Sequence, residues 1–328
     1  MLKLFARNTV VQVIVILAVT ALLWAQAFAD PQPMTPSGHF SPLYDLLCSI
    51  APTPTLATAI AMILVVSGGF FFNLILAQAR LVSQNSLLPT LLFIVIMSAG
   101  TPALSPSLLA ALLTISILNM LLLRSTLLAV STDKIFGTAA LIGIASMLYL
   151  PSITLVAAYL LVAVNYRLYG WREWMVFLLG LLAPYLLLWS VQLFTDSLVP
   201  GFRQMGEDFS NISLTVGDST TLQAIANIVL LTAFAVSLFV LWSRLREKPI
   251  VWQKNATTIM LLTVSAVVML PFSQLFPVDL KFFALPFTFC LCQRLSLPRR
   301  TSRPGRSSWR SLLFDLLFIL IIVAAILC

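Results

Sequence analysis

Side chains able to do chemistry are scarce in this chain, and they lie in the connectors between apolar segments. Asp30 directly follows the first apolar segment, and the connector after it holds His39 and Asp45. A carboxylate at such a position can act as a general base toward a hydroxyl group. We therefore expect an acid–base site here, with Asp30 as the base and His39 and Asp45 as substrate contacts.

Cations suited to phosphate form a second group. Lys281 opens a late apolar segment beside Asp279, and Arg203 lies in a long connector. Ammonium and guanidinium groups bind phosphate oxygens, and arginine can do so with two hydrogen bonds. A base, such cations and an interfacial helix are the parts needed to transfer a sugar from a polyprenyl-phosphate donor. The structural alternative is that Asp279 only pairs with Lys281.

Neither a metal nor a cofactor is expected from the remaining reactive residues. His39 is the only histidine, and the four cysteines lack metal-ligand spacing. The adjacent acids Glu207 and Asp208 lie in a connector, where we expect them to be solvated. Cys290 and Cys292 are expected to be small apolar fillers.

Composition places these residues in a membrane protein. Of 328 residues, 60% are hydrophobic and 9% are charged, and the mean hydropathy is +1.03. Soluble domains carry about 25% charged residues, because their surfaces face water. The sequence therefore predicts an all-α, polytopic transmembrane bundle in one domain, residues 1–328. The net charge of +8 follows from basic cytoplasmic connectors, and nucleic-acid binding is excluded.

About eleven spans are expected, since a bilayer core of about 30 Å needs about 20 helical residues, or fewer where neighbouring helices bury them. With a cytoplasmic N-terminus, all Lys and Arg residues except Arg203 and Lys281 fall in cytoplasmic connectors, as in a bacterial inner membrane. The predicted spans are 10–29, 56–78, 87–103, 106–123, 135–150, 153–166, 174–195, 221–242, 256–274, 280–293 and 312–328.

Two points of topology stay open. Residues 135–166 form a hairpin at Leu150-Pro151-Ser152 or one kinked helix, and the charge distribution favours the hairpin. Reading both 135–166 and 87–123 as single helices would give nine spans, but a helix over 87–123 would be about 55 Å long. The first span also has the pattern of a cleaved signal peptide ending at Ala27-Phe28-Ala29, and retention is favoured.

Three connectors are longer than tight turns. The outer connector 30–55 contains Ser41–Ile50, whose leucines recur at helical spacing and predict a helix lying in the membrane interface. The second outer connector, 196–220, is expected to be a loop. The cytoplasmic connector 294–311 carries six arginines and is expected to lie on anionic headgroups.

Five short motifs lie between residues 72 and 174: Phe72-Asn73, Asn85–Pro89, Asp133–Phe136, Ala145–Pro151 and Arg172–Trp174. In these motifs the chain resembles a family of uncharacterised polytopic inner-membrane proteins of Bacteroidota, a family with no established activity.

The architecture carries a second resemblance. An inside N-terminus, Asp30 and Ser41–Ile50 in the first outer loop, and paired spans are similar to the plan of the C-type membrane glycosyltransferases. That likeness implies action on a polyprenyl-phosphate-linked sugar.

Two functions are thus expected in parallel. The first is a glycosyltransferase-like protein acting on a lipid-linked glycan at the periplasmic face. The second is a non-catalytic membrane subunit that scaffolds other membrane proteins in an envelope complex. Ion-coupled transport is disfavoured, because such proteins place carboxylates or histidines near the bilayer midplane, and the predicted spans hold only Asp315, near one end of the last span.

Overall fold

A computed structural model describes most of the chain, and in the described part all regular secondary structure is helical. The described residues are 9–36, 39–50, 53–82, 86–98, 103–122, 132–166, 170–210, 238–239, 241–242, 245, 248–269 and 280–295. Predicted span 312–328, nearly all of span 221–242, Asp279 and most of the connector 294–311 lie outside these residues.

Eleven α-helices and two 3₁₀ turns occupy the described ranges. The 3₁₀ turns are Leu150–Thr154 and Leu280–Phe283. The helices, in chain order, are α1 (Thr9–Ala29), α2 (Pro42–Ile50), α3 (Pro54–Gln78), α4 (Leu88–Met97), α5 (Pro106–Leu122), α6 (Thr132–Leu148), α7 (Leu155–Asn165), α8 (Trp171–Phe194), α9 (Leu198–Ser210), α10 (Ile250–Val268) and α11 (Ala284–Leu295).

Three of these helices are long and apolar enough to cross a membrane: α1, α3 and α8. Shorter apolar helices cover Leu88–Met97, Pro106–Leu122, Leu150–Asn165 and Lys281–Gln293. The shortest, α4, has every residue buried. A helix enclosed in this way by neighbouring helices has no lipid-facing length to match, which explains how so short an apolar segment is accommodated.

The first helix is packed into the bundle along one face. Gln12, Ile16 and Trp24 are buried at intervals that return to the same side of α1. The Gln12 side-chain oxygen accepts the Leu87 backbone N–H at 2.9 Å, and Trp24 Nε1 donates to Ser98 Oγ at 2.9 Å. These bonds connect α1 to both ends of α4, so α1 is an integral part of this structure.

Glycines allow the closest helix contacts. Gly69 of α3 packs against Phe93 of α4, and its carbonyl oxygen accepts the Thr90 hydroxyl at 3.2 Å. Gly180 of α8 packs against the backbone of Phe136 in α6. Small residues let helix backbones approach in this way.

The chain reverses direction at the 3₁₀ turn Leu150–Thr154. Phe136 and Ser146 of α6 meet Gly180 and Tyr185 of α8 in the same order along both helices, the last pair through a 2.6 Å hydroxyl hydrogen bond. Helices α6 and α8 are therefore parallel, and the chain between them, which includes α7, must run back. The helix accordingly ends at Leu148, as the hairpin interpretation requires.

Two sequence-based predictions differ in part from the structure. The separate spans predicted at 87–103 and 106–123 correspond to two helices, α4 and α5, but α4 ends at Met97, earlier than predicted, and residues 103–105 before α5 are non-helical. The connector 196–220, expected to be a loop, contains the helix α9 over its first half. Its residues 211–220 lie outside the described part of the chain.

Several polar contacts between distant parts of the chain lie at the two ends of the bundle. At one end, Asn255 donates to the Ala79 carbonyl oxygen at 3.3 Å, and Gln293 donates to that of Leu81 at 2.6 Å. The other end carries α2, α9 and Lys281, and is called the α2 end below. The interior between the two ends is mainly aliphatic and aromatic.

Candidate functional site

The residues at the start of α2 favour a helix that begins at Pro42. Pro42 occupies the first turn, where a missing N–H costs no hydrogen bond. Asp45 places negative charge near the positive end of the helix dipole, and the Ser41 hydroxyl lies 3.5 Å from its Oδ1. Asp45, an expected substrate contact, is thus engaged with the start of its own helix.

Tyr44 is the residue of α2 that faces the protein. Its buried phenol donates to the Leu104 carbonyl oxygen at 3.2 Å. Burial raises the pKa of Tyr44, with smaller contributions from Cys48 and Asp45. The phenol therefore stays protonated and continues to donate well above neutral pH, which fixes α2 to the residues just before α5.

Asp208 of α9 binds the segment that leads into α2. One carboxylate oxygen accepts the Phe40 backbone N–H at 2.7 Å, and the other lies 3.1 Å from His39 Nδ1. Asp208 is only 7% exposed, and a buried carboxylate needs such partners because it has lost water. The sequence-based expectation that Asp208 is solvated is therefore wrong. We call His39, Phe40 and Asp208 the Asp208 clamp.

Arg203 lies on the exposed side of α9. Its Nε donates to Glu207 Oε1 at 3.0 Å, one helical turn away, and the arginine side chain is 81% exposed. An exposed pair of this kind stabilises a helix by about 0.3–0.5 kcal/mol. The guanidinium has further N–H groups, so Arg203 can still bind an external anion.

Lys281 is buried at the start of the 3₁₀ turn that precedes α11. The residue is 5% exposed, and its ammonium donates to Ser105 Oγ at 3.1 Å. Ser105 caps α5 by accepting the Leu108 N–H at 3.3 Å, and its hydroxyl lies 3.0 Å from that of Ser107. We call Ser105, Ser107 and Lys281 the Ser105–Lys281 cluster.

The two sites at the α2 end are linked through consecutive residues. Leu104, whose carbonyl oxygen accepts the Tyr44 phenol, directly precedes Ser105, which accepts the Lys281 ammonium. The Asp208 clamp holds the chain just before α2. A series of hydrogen bonds therefore runs from α9 through α2 to the Ser105–Lys281 cluster.

The expected site residues do not all converge. Asp30 is exposed after the last turn of α1, where its N–H donates to the Gln26 carbonyl oxygen at 3.0 Å. Arg203 is exposed on α9 and Lys281 is enclosed beside Ser105, so the two cations occupy different settings. Asp279 lies outside the described residues.

The arrangement suits recognition of an anionic oxygen group. An ammonium and two serine hydroxyls supply hydrogen-bond donors at one point of an otherwise apolar interior. Within the described part of the chain, no group of three His, Cys, Asp or Glu side chains is placed to hold a metal ion. The chemistry available at this cluster is therefore that of a cation and hydroxyls.

Sequence reasoning missed the serines and the role of Asp208. Ser105 precedes Pro106 at the start of an apolar segment, a pattern typical of a helix N-cap, but nothing local connects it to Lys281, 176 residues later. Asp208 and Phe40 are 168 residues apart. Such pairings depend on the tertiary fold, so spacing along the chain could not indicate them.

Comparisons with protein-family models, with curated proteins and with solved structures find no match to this chain.

Proposed function

We propose that this chain is a multi-pass inner-membrane protein that acts on a polyprenyl-phosphate-linked sugar at the periplasmic face, in the manner of a glycosyltransferase. The α2 end is the periplasmic end in this proposal, and the N-terminus is cytoplasmic. The bundle has about eleven spans in this proposal.

The observation that carries the proposal is the buried Lys281. Enclosing an ammonium group in an apolar bundle is costly, and ionisable residues in such positions are retained where they bind a substrate or ion. Lys281 donates to Ser105, and Ser107 lies beside it. These donors fit a phosphate group whose polyprenyl chain stays in the bilayer.

Asp30 supplies the base in this scheme. Its carboxylate is exposed at the α2 end and can accept a proton from an acceptor hydroxyl as that oxygen attacks the sugar carbon. The bond from the sugar carbon to the phosphate oxygen then breaks, and the polyprenyl phosphate leaves. The cation of Lys281 stabilises the negative charge on the leaving phosphate.

Binding of undecaprenyl phosphate to the protein in lipid nanodiscs, measured by native mass spectrometry, tests this proposal. Lys281→Gln keeps a donor for Ser105 but removes the charge, and we expect the affinity to fall about tenfold or more, as for the loss of a charge-assisted hydrogen bond. Lys254→Ala is the matched control, because Lys254 is an exposed lysine on α10. Equal binding by Lys281→Gln and wild type would overturn the proposal.

The role of Asp30 is tested separately. Asp30→Asn should retain lipid binding and lose sugar transfer to an acceptor. Transfer that persists at the wild-type rate in Asp30→Asn would remove the catalytic assignment while leaving the lipid site standing.

A scaffold function is the second candidate, favoured by a face of α8 that is exposed in the described part of the chain. Only 17% of the most apolar stretch of α8 is buried there, and the remaining face can contact lipid or another membrane protein. Stable co-purification of a second protein, abolished by polar substitutions on this face such as Leu187→Asn, would support that function.

A further inference from the structure

The exposed face of α2 is apolar, whereas the exposed face of a helix in water is normally polar. Tyr44 points inward, whereas Leu46, Leu47 and Ile50 are exposed, Ile50 by 67%. A helix on the surface of a soluble protein turns its polar side to solvent. Short helices whose exposed side is apolar lie in the membrane interface.

Helix α9 continues the same kind of surface. It follows α8 after a short turn, and the last residue of α8, Phe194, is 88% exposed. Val199 is 74% exposed, and Phe202 packs on Trp189 with the ring centroids 5.0 Å apart while its other side stays exposed. The exposed Arg203 lies one helical turn after Val199 on the same face, and it begins the polar second half of α9.

The Asp208 clamp makes α2 and α9 one unit. Asp208 accepts from the Phe40 backbone N–H and contacts His39, and Phe40 lies two residues before α2 begins. A backbone donor is present at every pH, so this connection does not depend on the charge of His39. The two helices therefore cannot take up independent positions while the clamp is intact.

We propose that α2 and α9 form a single platform that binds the lipid surface on the outer side of the membrane, with the Asp208 clamp holding α9 to α2. The side chains of Leu46, Ile50 and Val199 enter the boundary between headgroups and acyl chains, and Arg203 contacts lipid phosphate. This inference rests on the multi-pass membrane function proposed above. It adds that α9 binds the lipid surface together with α2.

The platform also sets the depth of the Ser105–Lys281 cluster. Tyr44 ties α2 to Leu104, and the next residue binds Lys281. An interfacial helix lies about 5–10 Å into the headgroup and acyl boundary. The cluster is thereby held close to the level of lipid phosphates, where a lipid-linked phosphate can reach it.

Site-specific fluorescence quenching in liposomes of phosphatidylethanolamine and phosphatidylglycerol tests the platform. Cys48→Ser and Cys328→Ser leave Cys290 and Cys292, which are buried and inaccessible to label. A single cysteine carrying an environment-sensitive fluorophore is then placed at one position at a time. The positions are Ile50 and Val199 on the platform, Glu207 in the polar second half of α9, and Leu182 in the middle of α8.

Nitroxide lipids labelled near the headgroup should quench the fluorophores at positions 50 and 199 at least about threefold more than the fluorophore at position 207. Iodide, which stays in the aqueous phase, should instead quench the fluorophore at position 207 most strongly. Position 182 should respond to nitroxides deep in the acyl chains. Iodide quenching at 50 and 199 equal to that at 207, with 182 still quenched by deep nitroxides, would overturn the platform alone. Iodide access at 182 as well would overturn the membrane proposal.

The clamp is tested with two neighbouring acids. Asp208→Ala should increase iodide quenching at position 199 by about twofold or more, because α9 loses its tie to α2. Glu207→Ala is the matched control and should change nothing at 199, since Glu207 pairs with Arg203 on the same helix. Unchanged quenching at 199 in Asp208→Ala would show that the clamp does not hold the platform together.

Discussion

Single buried polar groups hold the first helix in this bundle. Trp24 is fully buried and donates from Nε1 to the hydroxyl of Ser98, which is also buried. Neither group has water available as a substitute. The stability contributed by this pair therefore tests whether α1 is part of the folded protein.

Trp24→Phe and Ser98→Ala should each lower the thermal unfolding temperature in detergent by a few degrees. A double-mutant cycle should give a coupling free energy of about 0.5–2 kcal/mol, the range found for side-chain hydrogen bonds between membrane helices. Trp171→Phe serves as the control, because Trp171 is mostly exposed. Zero coupling would mean that α1 does not dock on α4 as described.

Cys48 offers a pH-dependent probe of the α2 surroundings. Burial raises the pKa of its thiol, the neighbouring Tyr44 hydroxyl opposes this increase, and the negative charge of Asp45 adds to it. The thiolate is the reactive form, so a raised pKa means less thiolate and slower alkylation at pH 8.

The rate of Cys48 alkylation by iodoacetamide should reach half its maximum at a pH above the ordinary thiol pKa of about 8.5. Asp45→Asn should shift this midpoint to lower pH because the repulsive charge is gone, and Glu207→Gln should leave it in place. The measurement is made on Cys328→Ser protein, since Cys290 and Cys292 are buried. A midpoint at or below 8.5 would contradict the described burial of Cys48.

At the scale of helices, the contact between α6 and α8 depends on a glycine. A Cβ atom at Gly180 would lie 2.7 Å from the Phe136 carbonyl oxygen and 2.9 Å from the Ala139 Cβ. Both neighbours belong to a helix backbone or its first side-chain atom, so neither can move without shifting α6 away from α8.

Gly180→Ala should therefore lower the free energy of unfolding by about 1–3 kcal/mol, as overpacking does elsewhere. Gly137→Ala in α6 should do the opposite and stabilise by about 0.5–1 kcal/mol, because a Cβ there meets no atom within 4 Å and alanine favours the helix. Unfolding in detergent, followed by circular dichroism, distinguishes the signs. The same sign for both variants would refute the described contact.

At the scale of the whole molecule, the chain reversals determine which connectors share a side of the membrane. Residues 103–105 are non-helical between α4 and α5, and the turn Leu150–Thr154 separates α6 from α7. With the N-terminus cytoplasmic, both connectors lie on the periplasmic side in the proposed topology.

Alkaline phosphatase fused after Ser105 or after Ser152 should be active, and a green fluorescent protein fused after Ser86 should fluoresce in the cytoplasm. Alkaline phosphatase is active only where its disulfides form, in the periplasm. A phosphatase fusion after Ser86 is the control and should be inactive. The reversed pattern would show that the orientation is opposite to the proposed one. An inactive phosphatase fusion after Ser152 would favour the alternative in which residues 135–166 form one kinked helix.

How much the sequence anticipates can be judged from particular elements. Periodic leucines in Ser41–Ile50 predicted a helix, and α2 spans Pro42–Ile50. The span predicted at 256–274 corresponds to a helix that begins earlier, at Ile250. The prediction started too late because Lys254 and Asn255, in the first turns of this helix, are residues typical of a connector. Asn255 is nevertheless buried and bonded to the Ala79 carbonyl oxygen just after α3, a contact that only the tertiary fold creates.

The amino-acid sequence alone determined the helical class and most helix positions, because apolar runs and their breaks at proline, glycine and charge are local properties of the chain. It also identified Asp30, His39, Arg203 and Lys281 as residues of interest by their type. Only the tertiary structure decided their partners: Asp208 for His39, Glu207 for Arg203 and Ser105 for Lys281. Two of these three pairings join residues more than 160 positions apart, and contacts at that separation are created by helix packing.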